Sequence, residues 1–203
     1  MFDPSSRSVN FCDMTRPVVK IRESREADIA RITEIYGRSV LEETASFEYE
    51  PPEVREMARR RTGLLEGGYP YLVAEVDGRV EGYAYAGPFH ARKAYSSTIE
   101  NTVYVDPPAQ RCGVGRKLMD RLIEECTARG YRQMIAVIAV PAGKDDSASV
   151  RLHRAHGFTH GGVNRSVGYK HEMWLDTIHL QLALGESDSA PPGTAPGPVG
   201  HQP

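Results

Sequence analysis

The chain is short of the features that mark a special environment. Its 203 residues include only three cysteines, Cys12, Cys112 and Cys126, a single tryptophan, and a net charge of −2. Three widely spaced cysteines fit neither a disulfide framework nor a zinc site and suit a reducing cytoplasm. No apolar run approaches the roughly 18 residues of a membrane span. The start lacks a basic stretch followed by an apolar core, so no secretory signal is expected. The near-balanced charge gives no reason to expect nucleic acid or an anionic membrane as partner. The 40% of apolar residues suffices for one good core, and a second domain is not expected. Residues 1–16 are polar and aperiodic and predict a mobile leader. From Gly185 on, Pro, Gly, Ser and Ala dominate, which predicts a disordered tail over 185–203. That leaves 17–184 as the folded domain.

What is present centres on Asn101 to Leu118. Thr102-Val-Tyr-Val105 reads as a strand, and Pro107-Pro108 stops it because neither can donate to a ladder. Gln110 to Gly115 follow as a glycine-bearing loop. Then comes an amphipathic helix with Leu118, Met119, Leu122, Ile123 and Cys126 on one face, closing at Arg129-Gly130. Strand, glycine loop and helix together make an anion site. The first helical turn has free N–H groups and the positive end of the macrodipole, and Gly113 and Gly115 let a phosphate approach the backbone. Arg111 and Arg116 add charge. The P-loop pattern is absent, and a dinucleotide fingerprint fails where Leu118 replaces its third glycine. Gln110-Arg-Cys-Gly113-Val-Gly115 matches the acyl-CoA pattern Q/R-x-x-G-x-G/A at every defined position. Taken alone, the loop leaves open an ordinary turn with incidental glycines.

Around this centre the periodicities predict a largely antiparallel order. Val18 to Ile21 reads as a first strand. Ser24 is a candidate N-cap for a helix with Ile29, Ile32, Ile35, Tyr36 and Val40 inward. Pro51-Pro52 open a second helix through Arg61, whose basic run Arg59-Arg-Arg61 reads as a solvated face beside Glu53 and Glu56. Tyr71–Val76, Asp77-Gly78 and Arg79–Ala86 form a hairpin with a type I′ turn, which a Rossmann domain would not have at this point. Met134–Val140 is an apolar strand that can run parallel to 103–105, with the helix as crossover. A short helix capped by Asp146 or Ser147 and two last strands, 158–164 and 174–184, complete the reading.

The chain resembles the GNAT superfamily of N-acetyltransferases across about residues 18–184. More narrowly it resembles phosphinothricin N-acetyltransferases and their methionine-sulfone and methionine-sulfoximine relatives. The motifs that carry this occur in family order. They are Thr44–Glu48, Tyr83–Pro88, Ala91–Tyr95, Glu100–Val105, the glycine loop, Ser149–His153, Gly157-Phe158, and Gly168-Tyr-Lys170 with Trp174-Leu-Asp176 and Gln181. The resemblance implies an α/β fold of α+β type, a mixed and mostly antiparallel sheet of about seven strands flanked by helices, with the fourth and fifth strands splayed. It implies acetyl-CoA as co-substrate and no metal. The pantetheine arm would pair with the backbone of Val103, Tyr104 and Val105 as an added strand. The pyrophosphate would lie on Gln110, Arg111, Cys112, Gly113, Val114, Gly115 and Arg116. Asp146 and Ser149 fall where the family contacts the cofactor arm, although Asp146 stands where many members have Asn.

The implied chemistry is acetyl transfer to a small amine. Glu100 matches the proposed family base, and partial burial would raise its pKa toward working pH. The N–H of Val105 or a neighbour would stabilise the oxyanion. His153 stands where most members have Tyr, and is the candidate acid for the departing thiolate or the holder of a proton-carrying water. His156, one turn on, finds no third ligand of suitable spacing, so a metal pair is rejected. Phe47, Arg92, Lys93, Ala94 and Tyr95 would face a substrate with an α-carboxylate and a tetrahedral oxyanionic head. Trp174 and Asp176 read as structural or as part of a homodimer. The rival readings are a non-catalytic acyl-CoA sensor on the same fold, and an acetyltransferase for another small amine, a polyamine or a protein N-terminus.

Overall fold

The computed structural model describes residues 18–193. The whole of the expected leader, Cys12 included, lies outside them, as does the end of the expected tail.

Seven strands form one sheet in the order β1-β2-β3-β4-β5-β7-β6. They are β1 (Val19–Glu23), β2 (Tyr71–Val76), β3 (Arg79–Pro88), β4 (Thr98–Val105), β5 (Gln133–Pro141), β6 (Thr159–Lys170) and β7 (Met173–Ala183). Every neighbouring pair is antiparallel except β4 and β5, which run parallel. This is the mixed, mostly antiparallel sheet that the sequence predicts. The parallel pair needs a crossover, and α3 (Val114–Ala128) supplies it. The other helices are α1 (Ile29–Glu42), α2 (Val54–Glu66) and α4 (Ala148–Ala155).

The sheet buries both faces. One core lies under α3 and α4, where Val114, Leu118, Met119, Leu122 and Cys126 of α3 meet Ile99, Met134, Ala136 and Ile138. Each fully buried large side chain contributes about 1.5–3 kcal/mol relative to exposure. The other core lies under α1 and α2. There Ile29, Ile32, Ile35 and Met57 meet Tyr71, Val73, Val80 and Tyr83. Burial on both faces suits the nearly unbroken apolar run of β2, whereas β5 alternates between buried and half-buried residues.

Local chemistry sets several boundaries. Asp77 and Gly78 have φ of 49° and 82°, the type I′ geometry expected of Asp-Gly. Ser24 does not cap α1. A short 3₁₀ turn over Glu26–Asp28 precedes that helix, and Arg61 takes Ser24 instead, donating to Oγ at 2.7 Å and to the carbonyl at 2.5 Å. Arg61 is therefore not part of a solvated face, whereas Arg59 and Arg60 pair with Glu56 as expected. α2 runs past Arg61 to Glu66, where Gly67-Gly68 closes it. Ser147, rather than Asp146, caps α4, accepting from the N–H of Val150 at 3.2 Å. Beyond β7, Leu184 donates to the Arg132 carbonyl at 2.9 Å, and Arg132 and Gln133 hold Glu186 and Ser187. Residues 185–193 thus lie along the outer end of β5 as turns. Among the described residues, no helix is long and apolar enough to cross a membrane.

Candidate active site

The ladder between β4 and β5 is short. It joins Thr98, Ile99 and Glu100 to Gln133, Met134 and Ile135, and then the strands part. On its other edge β4 stays paired with β3 up to Val105, and β5 with β7 up to Pro141. The two strands therefore open a V with its vertex just after Glu100. The β5-facing backbone edge of Asn101–Val105 lines one side. This is the splay expected of strands four and five. It leaves a row of backbone donors and acceptors of the kind that takes an extended ligand.

Alternation along β4 divides its side chains between the two faces. Val103 and Val105 pack against the α3 core. Glu100, Thr102 and Tyr104 face the α1–α2 side, where Tyr104 lies edge-on to Tyr36 and stacks on Tyr83. Glu100 is half-buried on this face, near enough to Tyr85 to act on its ionisation, and burial alone pushes its carboxyl above the usual range. Glu48 lies on the same face, near enough to Tyr36, Tyr85 and Tyr104 to act on their ionisation. It is held by Arg60 at 2.7 Å.

At the mouth of the V, the chain turns from β4 into α3. Pro107–Ala109 form a 3₁₀ turn, Arg111 takes φ of 65° and Gly113 takes φ of 82° as the N-cap of α3. The left-handed value at Gly113 costs glycine nothing and would strain any other residue. A Cβ at Gly115 would touch Val105 and Leu152 at 3.5 Å, so this glycine lies where β4, α3 and α4 converge. Cys112 packs against the α3 core, and Val114 is buried in it. Gln110, Arg111 and Arg116 are exposed. The free N–H groups of the first turn of α3 and these cations make the loop fit a diphosphate. Asp106, just before the loop, turns inward. Its carboxylate accepts from Arg31 and, at 2.6 Å, from Arg38 of α1. This acid at the entrance to the loop therefore anchors β4 instead of opposing an anion.

His153 reaches the vertex from α4. It is 3% exposed. Its Nδ1 donates to the Ser149 carbonyl at 2.7 Å, with Ser149 Oγ at 3.4 Å, and its Nε2 lies 2.8 Å from Asn101 Nδ2. Burial pulls its pKa down to about 4, so the ring is neutral at pH 7. Asp146 is exposed, lies just before the cap of α4 and pairs with Arg151 of that helix.

The expected substrate residues do not all converge. Phe47 packs its ring on Gly168 of β6, which pairs with Leu175, itself opposite Pro141 at the open end of β5. Arg92, Lys93, Ala94 and Tyr95 are exposed on the β3–β4 connection, next to Thr98 and so at the closed end. The register thus sets Phe47 and Arg92 toward opposite ends of β5. Sequence reasoning missed what holds Phe47 in place. Lys170, 2% exposed, donates to the Ser46 carbonyl at 2.6 Å, Tyr49 donates to the Tyr169 carbonyl, and His171 meets the Glu43 carbonyl at 3.2 Å. The β6–β7 hairpin therefore clamps the 43–50 loop over the Glu100 face. A Cβ on residue 168 would sit 1.9 Å from the Phe47 ring. Phe47 is partly exposed and can swing away, so Gly168→Ala is expected to leave the melting temperature within about 3 °C. It should raise the acceptor KM about tenfold and leave the acetyl-CoA KM unchanged; unchanged acceptor kinetics would show that Phe47 lines nothing.

Comparison with known proteins agrees with this geometry. The family model described as an acetyltransferase (GNAT) domain matches residues 21–179. The chain is 42% identical over 180 residues to the phosphinothricin N-acetyltransferase of Alcaligenes faecalis, covering 89% of this chain and 90% of that one. It is 38% identical to the L-methionine sulfoximine/L-methionine sulfone acetyltransferase of Salmonella typhimurium, over 82% of this chain and 95% of that one. The crystal structure of a GNAT superfamily phosphinothricin acetyltransferase from Sinorhizobium meliloti in complex with AcCoA superposes with a TM-score of 0.82. It is 43% identical and covers 87% of this chain and 94% of that one. With the parallel β4–β5 pair, the V between them and the glycine loop at its mouth, these matches lead to one assignment: the chain belongs to the GNAT family of N-acetyltransferases.

Proposed function

We propose that the protein transfers an acetyl group from acetyl-CoA to the amino group of a small amino-acid analogue of the phosphinothricin or methionine sulfoximine type. The observation that carries this reading is the three-pair β4–β5 ladder with Glu100 as its last β4 member. The open β4 edge suits the pantetheine amides of the co-substrate, and the first turn of α3 suits its diphosphate. Acetyl-CoA supplies the activated thioester, and the chain's own groups manage the protons.

An α-amine is mostly protonated at pH 7 and must lose a proton to attack. Glu100, raised by burial, is the base on the face that the amine approaches. Backbone N–H groups of the open β4 edge, that of Val105 among them, are the donors for the developing oxyanion. The amine sheds a second proton as the amide forms, and the departing thiolate takes one up. The two balance without a charged histidine. His153 is neutral here, and its N–H is spent on the Ser149 carbonyl. Its surroundings favour a holding role over proton delivery.

Phe47, on its clamped loop, would wall the acceptor. Arg92 and Lys93 are the cations available for its acidic groups at the other end. Val167, Tyr169 and Trp174 stand exposed on the β6–β7 hairpin, with the Tyr169 and Trp174 rings in contact, and we place a homodimer contact there. Such a cluster on an otherwise ordinary surface marks an interaction face. Sedimentation of the full chain should give a dimer, and Trp174→Glu a monomer.

The deciding assay is thiol release from acetyl-CoA with phosphinothricin, methionine sulfoximine, spermidine and an N-terminal peptide as acceptors. Turnover with the first two is expected. Turnover only with spermidine or the peptide would replace the substrate class. Binding of acetyl-CoA without turnover on any amine would favour a sensor.

A further inference from the structure

Asn101 was not singled out by the sequence beyond its place in a motif. It is the residue after Glu100, and so the first on β4 past the last pair with β5. Its side chain points away from Glu100, into the α3 face beneath the vertex of the V, and is buried. There its Nδ2 meets His153 Nε2 at 2.8 Å and Met119 Sδ at 4.0 Å.

The proton positions follow from the partners. The Ser149 carbonyl can only accept, so His153 carries its proton on Nδ1. A neutral imidazole then has a lone pair on Nε2, and the amide nitrogen of Asn101 donates to it. The amide cannot be turned round, because Oδ1 would then face that lone pair. In this orientation Oδ1 is a buried acceptor with no hydrogen-bond partner among the described residues. An apolar residue of the same shape would fill this buried space but could not donate to Nε2 at 2.8 Å. An amide is needed for what its nitrogen does.

We propose that Asn101 is a positioning residue for the acetyl-transfer site: by donating to Nε2 it holds His153 as the neutral Nδ1–H tautomer at the vertex of the V, where the ring supports the thioester end without acting as its acid. This deepens the functional reading above and rests on it, because the vertex matters only if the reacting group lies there. Ser149, Asn101 and His153 form a chain with one polarity, from backbone carbonyl through imidazole to carboxamide. No mobile proton remains in it at pH 7.

Two variants of the full chain test this, with His153 followed by nitrogen-resolved spectra. Asn101→Leu keeps the volume and removes the donor. It is expected to leave His153 with mixed tautomers and to lower kcat for the best acceptor about tenfold, with both KM values within about twofold. Asn101→Asp places a carboxylate against Nε2, favouring imidazolium. Here a new ionisation is expected in the His153 spectrum and in the pH–rate profile. If Asn101→Leu fails to fold, the aspartate variant carries the test. Wild-type kcat in a folded variant with an altered His153 spectrum would overturn the proposal. So would a wild-type His153 found as the Nε2–H tautomer, or a loss confined to the acetyl-CoA KM. A wild-type chain that binds acetyl-CoA yet acetylates no amine would remove the functional reading, while the nitrogen spectrum would still report whether Asn101 sets the tautomer.

Discussion

Glu100→Gln is expected to lower kcat/KM for the acceptor amine by about a hundredfold or more, the usual contribution of a positioned general base. The substitution preserves shape and hydrogen-bonding capacity but cannot take up a proton. Glu100 lies half-buried, with burial as the cause of its raised pKa. A carboxyl works as a base only when ionised. The wild-type rate should therefore climb with pH through an ionisation above the ordinary glutamate value, and the glutamine variant should lose that limb. What then remains is the rise due to ionisation of the amine itself, near pH 8 for an α-amino group. Acetyl-CoA affinity should stay within about twofold, because Glu100 points to the α1–α2 face while the β5-facing backbone edge is the one left open. Stopped-assay rates from pH 4.5 to 9, with acetyl-CoA binding measured separately, check both parts. Full activity across that range would show that water or another group removes the proton. The raised pKa of Glu100 would then be a by-product of its burial.

Much of this arrangement was legible in the sequence because its causes are local. Asp77-Gly78 encodes its turn in two residues, and the α3 stripe of Leu118, Met119, Leu122 and Cys126 encodes its buried face. The direction of β5 follows from the length of the crossover. The glycine loop was legible for the same reason, since Gly113 adopts its positive φ through its own lack of a side chain. Features decided by partners far along the chain were not. Ser24 has the composition of an N-cap, but Arg61 claims both of its oxygens. Lys170 and Gly168 fell within a recognised motif, yet their roles depend on Ser46 and Phe47, more than 120 positions earlier. The neutrality of His153 depends on burial that no helical spacing reveals. The likeness to relatives named Phe47 and Arg92 together as substrate residues, and only the strand register shows them toward opposite ends of β5.

Asp106 is the clearest case of a role that depends on distant partners, and its removal should carry the largest cost in stability. Its carboxylate is 3% exposed and accepts from Arg31 and Arg38, while Arg31 also reaches Glu81 and the Val80 carbonyl, each at 3.0 Å. These contacts tie α1 to the end of β4 just before the turn into the glycine loop. Asp106→Ala would leave Arg31, itself 14% exposed, with an incomplete set of partners in a poorly hydrated place. Breaking one side of such a buried pair costs about 3 kcal/mol, most of it the stranded charge. For a chain of this size that is a fall of roughly 8 °C in melting temperature. Arg38→Ala should cost under about 1 kcal/mol, since its 38% exposed side chain is screened by solvent and Asp106 keeps Arg31. The comparison separates a stranded buried charge from simple loss of an ion pair, because only the first predicts that the acid matters more than its more exposed partner. The acetyl-CoA KM should rise in Asp106→Ala as the glycine loop loses its anchor, with kcat little changed. Equal melting temperatures for Asp106→Ala and the wild type would mean that Glu34 and Glu81 together satisfy Arg31. The loop would then owe its position to Pro107, Pro108 and Gly113.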